Sequence, residues 1–162
     1  VTYAFLYGAG DRKIGRSYES SLSENAATAK GKEIRKAYLD AIPGLEKLLE
    51  GVHKASERGY VQGIDKRKIL VDSKHKSLNY LIQGSSAVLA KRWMLLTHEN
   101  LPPTARQLAF IHDELQFEVE DKEVNDLKFT LEYSAVRAGE YYNLRIPIAA
   151  ESKSGLSWAE VH

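Results

Sequence analysis

The chain of 162 residues contains no cysteine. That absence excludes a disulfide framework, a thiolate metal site and a cysteine nucleophile, and it gives no sign of secretion; a reducing cytoplasm is the expected setting. No apolar run approaches the ~20 residues needed to span a bilayer and no signal peptide is recognised, so no membrane partner is expected. A charge excess is missing as well. The 23 Lys and Arg are offset by 22 Asp and Glu, a formal net charge of +1, whereas a nucleic-acid-binding domain usually shows a clear basic surplus. Prolines number only four, and there is neither a repeat nor a low-complexity linker. What is present, 43% hydrophobic and 28% charged residues, is ordinary globular composition with enough apolar material for a core, so disorder is not expected.

The charges are unevenly spread. Lys66-Arg67-Lys68, Lys74-His75-Lys76 and Lys91-Arg92 cluster in the middle, while Glu and Asp dominate 113–126. A basic middle beside an acidic stretch suits a protein that grips phosphates with one part and a metal with the other. A solvated charged face explains any one cluster equally well.

Local patterning places the elements. Tyr3 and Tyr7 are four residues apart and share one face of a helix that Gly8 and Gly10 would end. A short polar connection leads to Ser23, an N-cap for a helix carrying Ile34, Ala37, Tyr38 and Ala41. Pro43-Gly44 breaks it, and a second helix carries Leu45, Leu48, Leu49, Val52 and Ala55 on one stripe to about Gly59. Residues 60–71 alternate around Gly63 and Asp65 as a β-hairpin. A long helix from Ser77 to His98 buries Leu81, Val88, Leu89, Trp93 and Leu96, and Pro102-Pro103 lies beyond its end. Val124, Leu127, Leu131, Ala135, Ala138 and Tyr142 mark a further helix. Arg145 to Ala150 reads as a closing strand, confined to a sheet edge by Pro147.

Three places carry chemistry. His112-Asp113-Glu114 sits between an apolar run, Leu108 to Ile111, and an alternating run with Leu115, Phe117 and Val119 on one face and Gln116, Glu118 and Glu120 on the other. Two adjacent carboxylates at a hairpin turn can hold Mg²⁺, which prefers a few carboxylate oxygens together with water and phosphate. They also satisfy the plain preference of turns for Asp. Tyr3 and Tyr7 form the second place, and Asn79 with Gln83, again at an offset of four, the third. Taken singly, the rings are equally core residues and the amides equally solvent-facing.

In this order the segments resemble family A (Pol I-type) DNA polymerases, in particular the replicative enzymes of short-tailed bacteriophages. Tyr3-Ala-Phe-Leu-Tyr7-Gly8 is similar to the end of the fingers helix, the family's motif B. Leu78-Asn79 with Gln83-Gly-Ser-Ser-Ala resembles the palm helix that touches primer-template. His112-Asp113-Glu114 resembles motif C, Gly63-Ile-Asp-Lys-Arg67 the Gly-x-x-Gly-Arg segment near the primer strand, and Gly155-Leu-Ser-Trp158 with the residues to His162 the Trp-containing tail of phage members. The resemblance spans essentially the whole chain.

It implies an α+β fold, with fingers-derived helices in residues 1–60 and a palm in 61–162 whose small antiparallel sheet carries the His-Asp-Glu hairpin. It implies a DNA-directed DNA polymerase that adds deoxynucleotides to a primer 3′ end by two-metal phosphoryl transfer in phage DNA replication, with primer-template DNA and deoxynucleoside triphosphates as partners. Asp113 would bind metal with Glu114 in support, and His112 would lie near the primer terminus. Tyr3 would face the sugar of the incoming nucleotide and Tyr7 the template base. Arg67 and His75 would contact DNA, and Asn79 and Gln83 the minor groove. The Lys and Arg expected before Tyr3 and the Asp-Tyr-Ser strand of motif A do not occur in the sequence. The expectation is therefore the C-terminal part of a longer polymerase, with most ligands of the second Mg²⁺ supplied by the upstream part and the isolated chain inactive. A non-catalytic DNA-binding remnant is the alternative.

Overall fold

The computed structural model describes residues 2–161, which form seven α-helices and two β-hairpins and separate into two compact units between Gly84 and Ser85. The mixed helix-and-hairpin class is the expected α+β one.

In the first unit, α1 (Thr2–Leu6) is followed by α2 (Asp11–Tyr18), where the sequence reading placed only a polar connection. The segment Asp-Arg-Lys-Ile-Gly-Arg-Ser-Tyr buries only Ile14 and Gly15, too few apolar positions to display a period. Its helix is fixed by tertiary contact with α3 (Glu24–Ala41). Ser23 caps α3 as expected, accepting from the Ala26 amide at 3.4 Å. The buried stripe of α3, however, is Ala27 and Gly31 with Ile34 and Tyr38 half-buried, and Ala37 and Ala41 are exposed. Small residues face α2 because the two helices approach at backbone distance: a Cβ on Gly31 would stand 1.8 Å from the Asp11 carbonyl oxygen. Helix α4 (Leu45–Ser56) starts after Gly44. Strands β1 (Tyr60–Gln62) and β2 (Lys68–Leu70) pair antiparallel, Val61 opposite Ile69, confirming the first hairpin. Phe5, Ile14 and Leu45 form one buried cluster and Val52, Val61 and Leu78 another.

Helix α5 (Ser77–His98) has the expected bounds; its full burial falls on Ser77, Leu78, Ala90 and Thr97, with Trp93 half-buried and donating Nε1–H to the Leu131 carbonyl at 2.8 Å. The second unit adds β3 (Arg106–Ile111), β4 (Glu114–Glu118), α6 (Val124–Tyr141) and α7 (Trp158–Val161). Leu127, Ala135 and Ala138 are buried along α6, as the 3.6-residue period requires.

The closing strand at 145–150 does not form. Pro147 has no amide to donate, and Ile148 instead packs its side chain on Gly139 of α6. Leu108, in the apolar run that leads into the hairpin, is 64% exposed because the β3–β4 register shifts between Gln107 and Ala109. A bulge of this kind turns its extra side chain out of the alternation.

Candidate functional site

In the first unit the expected site residues gather around the end of α1. Phe5 faces inward and packs on the Tyr38 ring at 4.9 Å, which turns Tyr3 and Tyr7 outward, 77% and 51% exposed. The helix ends in a Schellman arrangement: Gly8 N–H donates to the Phe5 carbonyl at 3.0 Å and Ala9 N–H to that of Ala4 at 2.9 Å. Gly8 is required twice over. It has φ of 72°, and a Cβ there would lie 2.1 Å from the His75 carbonyl oxygen. The end of α1 is thereby seated on the backbone that leads into α5.

A side-chain bond reinforces this seat. Gln83 Nε2 donates to the Tyr7 hydroxyl at 2.8 Å. Asn79 and Gln83, four residues apart in α5, lie along one helix face, and that face receives Tyr7. Sequence reasoning assigned both Tyr7 and Gln83 but did not foresee that they touch. Arg35, which it did not single out, holds the assembly from behind: its guanidinium donates to Asp11 Oδ1 and to the Ala9 carbonyl, each at 2.7 Å, and lies 5.4 Å from the Phe5 ring centre.

Arg67 stands at the β1–β2 turn, where Asp65 accepts from its backbone amide at 3.2 Å and from its Nε. Partial desolvation pushes the Asp65 carboxyl up, but the hydrogen bonds from Arg67 outweigh it and hold the carboxyl below its usual range. His75 is exposed in a single 3₁₀ turn, Lys74–Lys76. Nearby His53 is pushed down by burial and by the positive charge of Lys74 and His75.

In the second unit, Ile111 pairs with Glu114 and leaves His112-Asp113 as a two-residue hairpin loop. His112 takes φ of 56°, a conformation uncommon for residues other than glycine. His112 and Asp113 are exposed at the tip, and Glu114 is half-buried with Oε1 accepting from Gln116 Nε2. Gln116, on the face opposite Leu115, is thus one neighbour of Glu114, a contact the alternating pattern alone did not reveal. Asp113 and Glu114 supply hard oxygen donors of the type Mg²⁺ takes. Among the described residues no three His, Asp or Glu side chains converge to hold a metal ion.

Comparisons with known proteins bear on the family and the fold. The chain is 31% identical over 185 residues to the DNA-directed DNA polymerase of Enterobacteria phage T3, covering 99% of this chain and 25% of the relative. For the same enzyme of Escherichia phage T7 the figures are 30%, 99% and 25%. The chain therefore spans about a quarter of the length of these relatives. A solved structure, the POL domain of Pol1 from M. smegmatis in complex with DNA primer-template and dNTP, superposes with a TM-score of 0.73 at 23% identity, covering 91% of this chain and 27% of that one; this likeness is one of fold. The model of DNA polymerase family A matches residues 1–160, and the chain belongs to that family.

Proposed function

We propose that this chain is the C-terminal, fingers-and-palm part of a template-directed DNA polymerase that extends a primer with deoxynucleotides during phage DNA replication in the host cytoplasm. Residues 1–60 are its fingers-derived segment and 61–162 its palm segment. The observation that carries the proposal is the family match across residues 1–160 together with the exposure of Tyr3, Tyr7, His75, Gln83, His112 and Asp113, which leaves the motif residues available to ligands.

In this reading Tyr3 meets the sugar of the incoming nucleotide, and Tyr7 lies by the template base. Asn79 and Gln83 donate amide hydrogens to minor-groove acceptors common to all correct pairs, which tests pairing without reading sequence. Arg67 and His75 contact the DNA backbone. His112 lies at the primer terminus, and Asp113, with Glu114 held by Gln116 beside it, presents carboxylate oxygens there. When bound, two Mg²⁺ ions supply Lewis-acid stabilisation of charge at the attacking and leaving oxygens, their remaining ligands coming from the upstream part of the polymerase.

Primer extension with Mg²⁺ tests the proposal, using residues 1–162 alone and then mixed with a separately expressed upstream portion. Extension in the mixture only is the expected result. Extension by the isolated chain would overturn its assignment as an incomplete part. Tight primer-template binding with no extension in any combination would favour a DNA-binding remnant.

A further inference from the structure

The β1–β2 hairpin separates its side chains onto two faces. Val61 and Ile69 pair in register and pack with Val52 and Leu78, so Tyr60, Gln62, Lys68 and Leu70 lie on the opposite face by the period of two. On that face Lys68 Nζ stands 4.8 Å and Arg58 Cζ 5.1 Å from the centre of the one Tyr60 ring. Neither cation has a carboxylate partner among the described residues. The distinction matters because a carboxylate would neutralise the charge, whereas a ring quadrupole holds the cation in place and leaves its charge available.

The surrounding sequence concentrates that charge. Residues 58–76 contain six Lys and Arg against two Asp, while the rest of the chain contains 17 against 20. The two acids in the segment are occupied, Asp65 with Arg67 and Asp72 as acceptor from the Tyr80 hydroxyl at 2.9 Å. The turn is also fixed, Gln62 Nε2 donating to the Lys66 carbonyl at 2.9 Å. Of the six cations, Arg67 is paired with Asp65 and Lys74 with Glu57, whereas the charges of Arg58 and Lys68 on the outward face are offset by no carboxylate among the described residues.

We infer that the outward face of the β1–β2 hairpin, with Arg58 and Lys68 arrayed on Tyr60, is a contact surface for the phosphodiester backbone of DNA. The inference rests on the polymerase reading and adds to it a surface beyond Arg67. Backbone phosphate is the matching ligand because Lys68 on β2 and Arg58 in the turn before β1, both held on the Tyr60 ring, deliver position-independent charge, whereas base reading requires side chains fitted to groove edges. Cations already ordered on a ring also lose less side-chain freedom on binding.

Salt dependence provides the test. Binding of the polymerase carrying this chain to a primer-template duplex, and to single-stranded template of equal length, is measured between 50 and 200 mM salt. Removing one phosphate contact lowers the slope of log K against log salt by ~0.9 on duplex and ~0.7 on single strands. Arg58→Ala and Lys68→Ala are each expected to show one such decrement, the double variant about two, and the substrate giving the decrement identifies which part of the DNA lies on the hairpin. Tyr60→Leu is expected to weaken binding with little change of slope, since both charges remain. Both positions of the charge deletions are exposed, and an unchanged unfolding midpoint checks that each variant is folded. Wild-type slopes on both substrates in folded Arg58→Ala and Lys68→Ala would overturn the inference. Shifted slopes with no primer extension by the wild-type protein would instead refute the polymerase reading and leave the DNA surface standing. Absence of DNA binding by the wild-type protein would overturn both.

Discussion

The Gln83 side chain donates to the Tyr7 hydroxyl at 2.8 Å across 76 residues of sequence. In the proposed polymerase each of these residues faces DNA, and the hydrogen bond couples them: one hydrogen of the Gln83 amide, held by Tyr7, fixes the direction in which the second is offered to a minor-groove acceptor. Tyr7→Phe and Gln83→Ala are therefore expected to be non-additive in nucleotide incorporation. The coupling expected is about 0.5–1.5 kcal/mol, the net worth of one such hydrogen bond. A double-mutant cycle on kcat/KM checks it; additive effects would mean that the bond is irrelevant to turnover.

Asp113→Asn in the full polymerase is expected to reduce single-turnover incorporation by orders of magnitude while primer-template affinity stays close to wild type. Asp113 sits at an exposed loop tip, where replacement of one oxygen by an amide changes charge with little change of packing. Charge at the reacting centre matters most as the transition state forms. A near-wild-type single-turnover rate would remove Asp113 from the mechanism.

Tyr3→Phe is expected to sharpen discrimination against dideoxynucleotides by roughly tenfold, the value of a lost hydrogen bond of about 1–3 kcal/mol in a site closed to water. The side chain projects from α1 with Phe5 turned the other way, so the ring has no core function to lose. The ratio of incorporation efficiencies for normal and dideoxy substrates decides the point, and an unchanged ratio would place Tyr3 away from the sugar.

Gly8→Ala is expected to destabilise the first unit by more than about 1 kcal/mol, because alanine is strained at positive φ and its methyl group would meet the His75 carbonyl at 2.1 Å. Chemical denaturation measures this directly. Stability equal to wild type would show that α1 does not rest on the residues leading into α5.

The second unit should weaken in acid through Glu123. Its carboxylate accepts from the Thr104 hydroxyl at 2.8 Å and from the Thr104 amide at 3.1 Å, and these bonds hold its pKa below the ordinary glutamate range. Because the folded-state value is the lower one, the stabilising contribution is complete above the ordinary range and is lost as pH falls through the depressed value. Glu123→Gln should flatten this part of the stability–pH profile. An identical profile in the variant would assign the acid sensitivity to other groups.

Much of this molecule was legible where one physical rule decided the outcome. Ser23, Pro43-Gly44 and the period of α6 announce their elements through capping, a missing amide and burial on one face. Legibility failed where neighbours decide. Residues 11–18 look polar because α2 is stabilised by the close approach of α3 at Gly31, which leaves no hydrophobic stripe to read. Residues 145–150 have strand composition, yet a strand requires a partner, and Ile148 finds its packing on Gly139 instead. The site shows the same division. Its candidate residues were chosen from their order and spacing, but the hydrogen bonds around them, Gln83 to Tyr7, Gln116 to Glu114 and Arg67 to Asp65, depend on rotamers that spacing does not determine.

Helix α1 (Thr2–Leu6) meets the rest of the first unit through residues far from it in sequence. Tyr3 and Tyr7 are held in place by borrowed contacts: Phe5 on Tyr38, Gly8 on His75 and Arg35 on Ala9. The affinity measured for any ligand that needs both tyrosines is consequently the intrinsic affinity multiplied by the fraction of molecules in which α1 is docked. A substitution in α3 that never approaches the ligand then registers as weaker binding, and a ligand that binds both rings registers as greater thermal stability of the fold.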